Sequence, residues 1–100
     1  MDADEIRTLL GDNIFERAKK YRKRIQQSTC TVNADGVRHI SAMVQGSGGS
    51  YYYTQAWLRE NGSFVSASCS CPYNQNGEGT YCKHIGALLL DDAEKNAPAP

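Results

Sequence analysis

The chain has 100 residues, and its eleven basic and eleven acidic side chains cancel to a formal net charge of zero. This length is typical of one domain, and an apolar fraction of 40% allows a core, though a small one. The neutral balance gives no overall attraction for nucleic acid. No apolar run approaches the roughly 20 residues that a membrane helix needs, so no membrane contact is predicted.

Apolar residues recur every three to four positions through residues 2–25, which predicts helix. Gly11 weakens a helix and Asp12 can cap a new one, so the pattern predicts a short helix at about 2–10 and a longer one at about 12–25. The apolar stripe that repeats at this spacing comprises Ile6, Leu10, Ile14, Ala18, Tyr21 and Ile25.

Six of the eleven basic residues lie in the second of these helices. They are Arg17, Lys19, Lys20, Arg22, Lys23 and Arg24. Such a cluster is typical of a helix that contacts nucleic-acid phosphates. The alternative is a solvated helix face, since Lys and Arg are also favoured near a helix C-terminus. Tyr21 lies on the apolar stripe, which favours a core position over a base-stacking role.

Between Gln26 and Ser68 the pattern changes to strands joined by short links, which predicts an antiparallel meander of three to four strands. Turn or loop signals at residues 33–36, 46–50 and 60–63 separate strands around Cys30, over 37–44, over 51–58 and over 64–69. In the second of these, Ile40, Ala42 and Val44 share one face.

The strand over residues 51–58 is apolar on both faces. Tyr51, Tyr53 and Trp57 fall on one face; Tyr52, Thr54, Ala56 and Leu58 fall on the other. We expect one face to pack on the helices and the other to be partly exposed. The aromatic residues of the exposed face then either form ordinary cross-strand pairs or provide a surface that binds a partner.

A last helix is predicted from Thr80 or Tyr81 to about Glu94, with Thr80 as its N-cap and its packing stripe formed by Ile85, Leu88, Leu89 and Leu90. The predicted fold class is therefore α+β: N-terminal helices, a meander and a C-terminal helix. We expect one domain over residues 1–95, with a helical part at 1–25 and the sheet and last helix at 26–95. Residues 96–100, rich in Ala and Pro, are expected to form a flexible tail.

Two closely spaced ligand pairs carry the chemistry of the sequence: Cys69 with Cys71, and Cys82 with His84. Three thiolates and one imidazole make a complete tetrahedral set for Zn²⁺. Residues i and i+2 of a strand point to the same face, so Cys69 and Cys71 can bind the same ion at the end of a strand. The second pair lies at the start of the last helix, and the Asn- and Gly-containing segment between the pairs can bring them together. We predict one structural zinc ion that joins the last strand to the C-terminal helix.

Two disulfides are the alternative use of four cysteines. They suit small secreted domains, whereas the acidic opening from Met1 to Glu5 predicts no signal peptide. Disulfides would also leave His84 without a role. Free thiols predict a reducing, intracellular and cytoplasmic location.

The pattern C-x-C, a loop, then C-x-H resembles the SWIM zinc finger. The stretches Ser66-Ala67-Ser68-Cys69-Ser70-Cys71-Pro72-Tyr73 and Cys82-Lys83-His84-Ile85-Gly86-Ala87-Leu88-Leu89-Leu90 are similar to those of bacterial members associated with Swi/Snf-type helicases. The resemblance implies that Cys69, Cys71, Cys82 and His84 are the zinc ligands. It also implies a module for DNA or protein contacts, which can be one part of a longer, helicase-like protein.

The predicted function is a non-catalytic zinc-binding module, expected to be a monomer, that contacts DNA, a protein partner or both. Four protein ligands leave no open position for Lewis-acid catalysis, and no nucleophile–base pair is evident. The alternatives are a protein–protein adaptor without nucleic-acid binding and a redox sensor based on the zinc thiolates.

Two further residues have ligand chemistry but lie outside the motif. Cys30 is left over once the metal set is filled, and we expect it to be a small buried hydrophobe. His39 lies in a strand without ligand spacing, and we expect no metal role for it.

Overall fold

The computed structural model describes residues 1–72 and 81–95. The loop residues Asn74, Asn76, Gly77 and Gly79, the predicted cap Thr80 and the expected tail at 96–100 lie outside this range. Along the chain the elements are α1 (Ala3–Leu10), α2 (Asp12–Tyr21), a 3₁₀ turn (Arg22–Arg24), β1 (Ile25–Val32), β2 (Arg38–Gln45), β3 (Tyr51–Leu58), β4 (Phe64–Cys69) and α3 (Lys83–Lys95). No helix in this part of the chain is long and apolar enough to cross a membrane.

The break between the two N-terminal helices falls at the predicted position. Asp2 and Glu5 form a capping box at the start of α1, and Gly11 ends that helix with a φ of 84° that favours glycine. The second helix, predicted over about 12–25, is α2 up to Tyr21 followed by the 3₁₀ turn Arg22–Arg24, so helical structure ends within one residue of the predicted boundary. Ile25 continues the helical spacing but instead starts β1 and pairs with Val44 of β2, which is fully buried.

The four strands form one antiparallel sheet in the order β1-β2-β3-β4, which confirms the predicted meander. One face is packed against the helices. Its buried residues include Ile40, Ala42, Val44, Thr54, Ala56 and Leu58. The opposite face is open: Tyr51 and Tyr53 are 46% and 45% exposed, and Trp57 stacks on His39 with ring centroids 4.9 Å apart. The expectation of one packed and one partly exposed face is confirmed.

Helix α3 lies between the sheet and the N-terminal helices, and every residue from His84 to Leu90 is buried. Gly86 permits this close packing. A Cβ atom at Gly86 would lie 2.6 Å from Cδ1 of Leu10 and 2.7 Å from Cβ of Ala18, which is too close for any real side chain. The stripe of Ile85, Leu88, Leu89 and Leu90 is therefore confirmed as core.

The C-terminal half of α3 is attached to the sheet by an ion pair. Arg38 donates two hydrogen bonds to Asp92, at 3.0 and 2.9 Å, from β2. Both side chains are mostly buried, with exposures of 19% and 12%. A planar guanidinium with two parallel bonds to a carboxylate fixes orientation as well as distance.

The expectation that Cys30 is buried is wrong. Its side chain is exposed on β1, and its Sγ lies 3.8 Å from Nη1 of Arg38. Strand β1 is at the edge of the sheet, and all of its residues after Ile25 are exposed. Because no described element covers this edge, a residue on the helix-facing side of the strand still reaches solvent.

Candidate metal centre

All four predicted ligands come together in one buried cluster. One ligand atom from each of Cys69, Cys71, Cys82 and His84 lies within 4.8 Å of the others. The four side chains are only 2–5% exposed. In the described residues, neither His39 nor Cys30 belongs to this or another such cluster.

The chain folds so that two element ends deliver these donors. Cys69 is the last residue of β4, and Cys71 follows two positions later. The backbone N–H of Tyr53 in β3 donates to Oγ of Ser70, and the N–H of Ser70 donates to the carbonyl of Tyr53, which holds the C-x-C segment against the sheet. Cys82 lies just before α3 and His84 in its first turn.

The geometry fits a tetrahedral zinc ion. Nδ1 of His84 lies 3.7 Å from Sγ of Cys69 and 3.7 Å from Sγ of Cys82. Tetrahedral zinc, with bonds of about 2.3 Å to sulfur and 2.0 Å to nitrogen, places such a sulfur and nitrogen about 3.5 Å apart. The donor set and its spacing therefore suit one structural Zn²⁺, with His84 bound through Nδ1.

Without a metal ion, the sulfur atoms of Cys69 and Cys82 share a proton in a hydrogen bond. A hydrogen bond from the Cys82 thiol lowers the pKa of Cys69 to about 4 against the opposing effect of burial, with help from His84 and Thr54. The same hydrogen bond, together with burial, raises the pKa of Cys82. The backbone of Ile85 in α3 lowers the pKa of Cys82, as expected of a helix N-terminus, but it is outweighed. A zinc ion bound by these sulfurs would replace the proton that Cys69 and Cys82 share in their hydrogen bond.

Aromatic and hydroxyl groups support the ligands from the packed side of the sheet and from α2. Thr54 is fully buried, and its Oγ1 lies 3.3 Å from Sγ of Cys69. The His84 ring meets Tyr21 edge-on at 5.4 Å and Tyr52 at 5.1 Å between centroids. His84 Nε2 is buried and has no hydrogen-bond partner among the described residues.

A cavity of about 170 Å³ lies beside the cluster. Two cations, Arg17 from α2 and Lys83 from α3, are among the described residues that line it, and none of those residues is acidic. The wall also contains Ile14, Gly46, Ser47, Tyr52, Cys71, Pro72, Cys82 and His84.

The six basic residues predicted from the sequence do not form one surface: three lie in α2 and three in the 3₁₀ turn that follows it. Arg17 lines the cavity beside the metal, and at 100° per residue Lys20 falls on the same side of α2. Lys19, Arg22 and Lys23 line a shallow depression with Asp91. The Nε atom of Arg22 is buried.

The two sides differ in their partners. Arg22 forms an ion pair with Glu94, and Lys19 forms one with Glu16 at 3.0 Å. Arg24 instead donates to the carbonyl of Gly46, and its guanidinium lies 5.0 Å from the centre of the Tyr21 ring. Arg17 makes no ion pair with any described residue. Arg17 and Arg24, on the side of the metal, thus have no acidic partner among the described residues, whereas two of the three basic residues on the other side are paired.

Sequence reasoning overlooked Lys83 because it stands between two ligands. Its Nζ lies 4.7 Å from the centre of the Tyr21 ring. Burial opposes ionisation of Tyr21, yet hydrogen bonds from Lys83 and Ser47, with the charges of Lys83 and Arg24, lower its pKa. The spacing did contain a signal for Lys83. If the side chains of Cys82 and His84 both point into the metal cluster, that of Lys83 between them must point out of it, towards the neighbouring surface.

The SWIM zinc finger family model matches residues 52–92. The match begins in β3, ends within α3 and contains all four ligands. The chain has no match among curated proteins or among solved structures.

Proposed function

We propose that the zinc-binding module at residues 52–92, which match the SWIM zinc finger model and contain a buried Cys₃His cluster, contacts nucleic acid, DNA in particular, through the surface beside the metal. The bound zinc fixes the corner between β4 and α3 and so positions the basic side chains around it. We further propose that the module is monomeric, acts inside the cell and serves a longer, helicase-like protein.

The observation that carries this proposal is the grouping of Arg17, Arg24 and Lys83 around Tyr21 and His84. Arg24 and Lys83 both contact the Tyr21 ring, and Arg17 and Lys83 line the same cavity. Neighbouring cations without acidic partners attract phosphates. Lys20 extends this basic group along α2, whereas Lys19, Arg22 and Lys23 have a structural role in our proposal, beside Glu16, Asp91 and Glu94.

Catalysis by the metal is not part of the proposal. Three thiolates and one imidazole fill the four positions of structural zinc, whereas a catalytic zinc keeps one position for water or substrate. The four donors are all buried, which is typical of a site that stabilises the fold.

A protein partner is the second candidate, and the open face of the sheet favours it. Tyr51 and Tyr53 are nearly half exposed there, beside the stacked pair of Trp57 and His39. Exposed aromatic residues are common at protein interfaces. This surface is on the far side of the sheet from the metal, so the two candidates use different residues.

The deciding experiment is titration of the zinc-loaded protein with duplex and single-stranded DNA at about 50 and 200 mM salt. Contacts to about three phosphates predict that affinity for duplex falls roughly fortyfold across this range. Absence of binding to both forms at the lower salt concentration would overturn the nucleic-acid proposal and leave the protein adaptor.

A further inference from the structure

We propose that the cavity beside the metal is a phosphate-binding site, completed by zinc, that receives one backbone phosphate of the nucleic acid. This inference rests on the proposed nucleic-acid function and adds the atoms that make the contact. The groups involved are the guanidinium of Arg17, the ammonium of Lys83 and the Nε2–H of His84.

Charge and size both suit one phosphate group. The cavity of about 170 Å³ holds a small group but not a folded segment, and the described part of its wall contains two cations and no carboxylate. Arg17 and Lys83 come from different helices, α2 and α3, so the site exists only when these helices are packed together.

The second, independent observation is the unpartnered nitrogen of His84. The residue is 4% exposed, and Nε2 has no hydrogen-bond partner among the described residues. This atom points towards Gly46, another residue of the cavity wall: a Cβ placed on Gly46 would lie 3.6 Å from it. A buried polar atom without a partner is costly, and a ligand or water at the cavity wall relieves that cost.

Metal binding decides which kind of partner Nε2 needs. Nδ1 is the ring nitrogen that faces the sulfur atoms, at 3.7 Å from two of them. A neutral imidazole that binds a metal through Nδ1 carries its hydrogen on Nε2, which is then a donor and needs an acceptor. With its hydrogen on Nε2, the His84 ring offers a donor at this wall of the cavity, as an anion requires.

The direct test uses inorganic phosphate and the zinc-loaded protein, labelled with ¹⁵N. We expect phosphate to shift the Nε2 resonance of His84 in a saturable manner, and we expect the shift to be lost in the double variant Arg17→Gln, Lys83→Gln. The variant's zinc content and its amide spectrum verify that it is folded. The control variant Lys19→Gln, Lys23→Gln removes the same charge from the other side of α2 and should keep the shift. An unmoved His84 resonance, or equal shifts in both variants, would overturn the site.

The same variants then connect the site to DNA. The Arg17, Lys83 double variant should bind duplex about tenfold more weakly than wild type, with a salt slope smaller by about 1, as for one lost phosphate contact. The control variant should bind within about threefold of wild type. If wild type binds DNA and both variants weaken it equally, the cavity site is refuted while the proposed function stands. If phosphate binds at the cavity but wild type binds no DNA, the assignment to a nucleic-acid phosphate is refuted together with the proposed function.

Discussion

The two ends of helix α3 are attached to the sheet by different chemistry. At the N-terminal end, His84 joins three sulfurs in a buried cluster that suits zinc. At the C-terminal end, Asp92 receives two hydrogen bonds from Arg38 of β2, and Arg22 pairs with Glu94. Between these ends, apolar side chains and the close approach at Gly86 fill the core.

This difference shows how a small core is supplemented. A metal ion binds donors from two separate elements, here the end of β4 and the start of α3. It can therefore fix their relative position where few apolar residues are in contact. An ion pair fixes two residues only, and its benefit is reduced by the cost of removing both charges from water. We call the N-terminal end of α3, with the Cys₃His cluster, the metal end, and the C-terminal end, with Arg38 and Asp92, the ion-pair end. The metal end should contribute most of the free energy of unfolding, and the ion-pair end should mainly orient the helix.

The largest effect should come from removal of the metal end. Cys82→Ser, or exhaustive chelation, should abolish zinc binding and unfold the C-terminal half. Structural zinc is worth on the order of 10–16 kcal/mol, against a typical domain stability of about 5–15 kcal/mol. Native mass spectrometry and circular dichroism measure the two losses. An unchanged melting temperature after complete metal stripping would show that the metal end is not dominant.

Breaking the ion-pair end should have a smaller effect. Arg38→Met removes the guanidinium that binds the mostly buried Asp92 carboxylate and should cost about 2–3 kcal/mol in urea unfolding of the zinc-loaded protein. The double variant Arg38→Met, Asp92→Leu removes both charges and should recover part of that loss. A double variant as unstable as the single one would mean that loss of the pair itself, and not burial of the remaining carboxylate, accounts for the lost stability.

The face of α3 that packs on the N-terminal helices should be sensitive to added volume. Gly86→Ala places a methyl group against Ala18 and Leu10, and Ala18 belongs to a helix that cannot yield locally. We expect a net loss of about 1–2 kcal/mol, because overpacking outweighs the better helix propensity of alanine. Calorimetry measures the loss as a lower melting temperature. Gly48→Ala is the matched control, since nothing lies within 4 Å of the added atom there, and it should be nearly neutral.

The smallest effect is expected at Cys30, which lies near the ion-pair end and next to Arg38. Cys30→Ser should keep the metal and change stability by less than about 0.5 kcal/mol, as for other exposed sites. In a disulfide-exchange assay the zinc-loaded wild type should show one fast thiol among its four cysteines, and the variant none. Two or more fast thiols in the wild type would indicate that the metal end is open.

The clustering of three cysteines and one histidine could be predicted because ligand type and spacing are local signals. The order of the elements was equally accessible: glycine at residue 11, turn residues and alternating faces mark the boundaries within a few positions. The long-range contacts could not be predicted in this way. Nothing in the local pattern pairs Arg38 with Asp92, and the exposure of Cys30 depends on which strand becomes the sheet edge. The change from α-helix to 3₁₀ turn after Tyr21 gave no such signal, because Ile25 suits a helix stripe and a strand equally.

Trp57, the only tryptophan of the chain, stacks on His39 on the open face of the sheet. Alternation along β3 turns it away from Thr54, whose Oγ1 lies 3.3 Å from Sγ of Cys69 in the Cys₃His cluster. Its fluorescence is therefore an intrinsic optical probe of that aromatic surface. A protein that docks there will change the emission, whereas DNA bound at the basic surface will leave it unaltered, so one cuvette measurement separates the two kinds of partner.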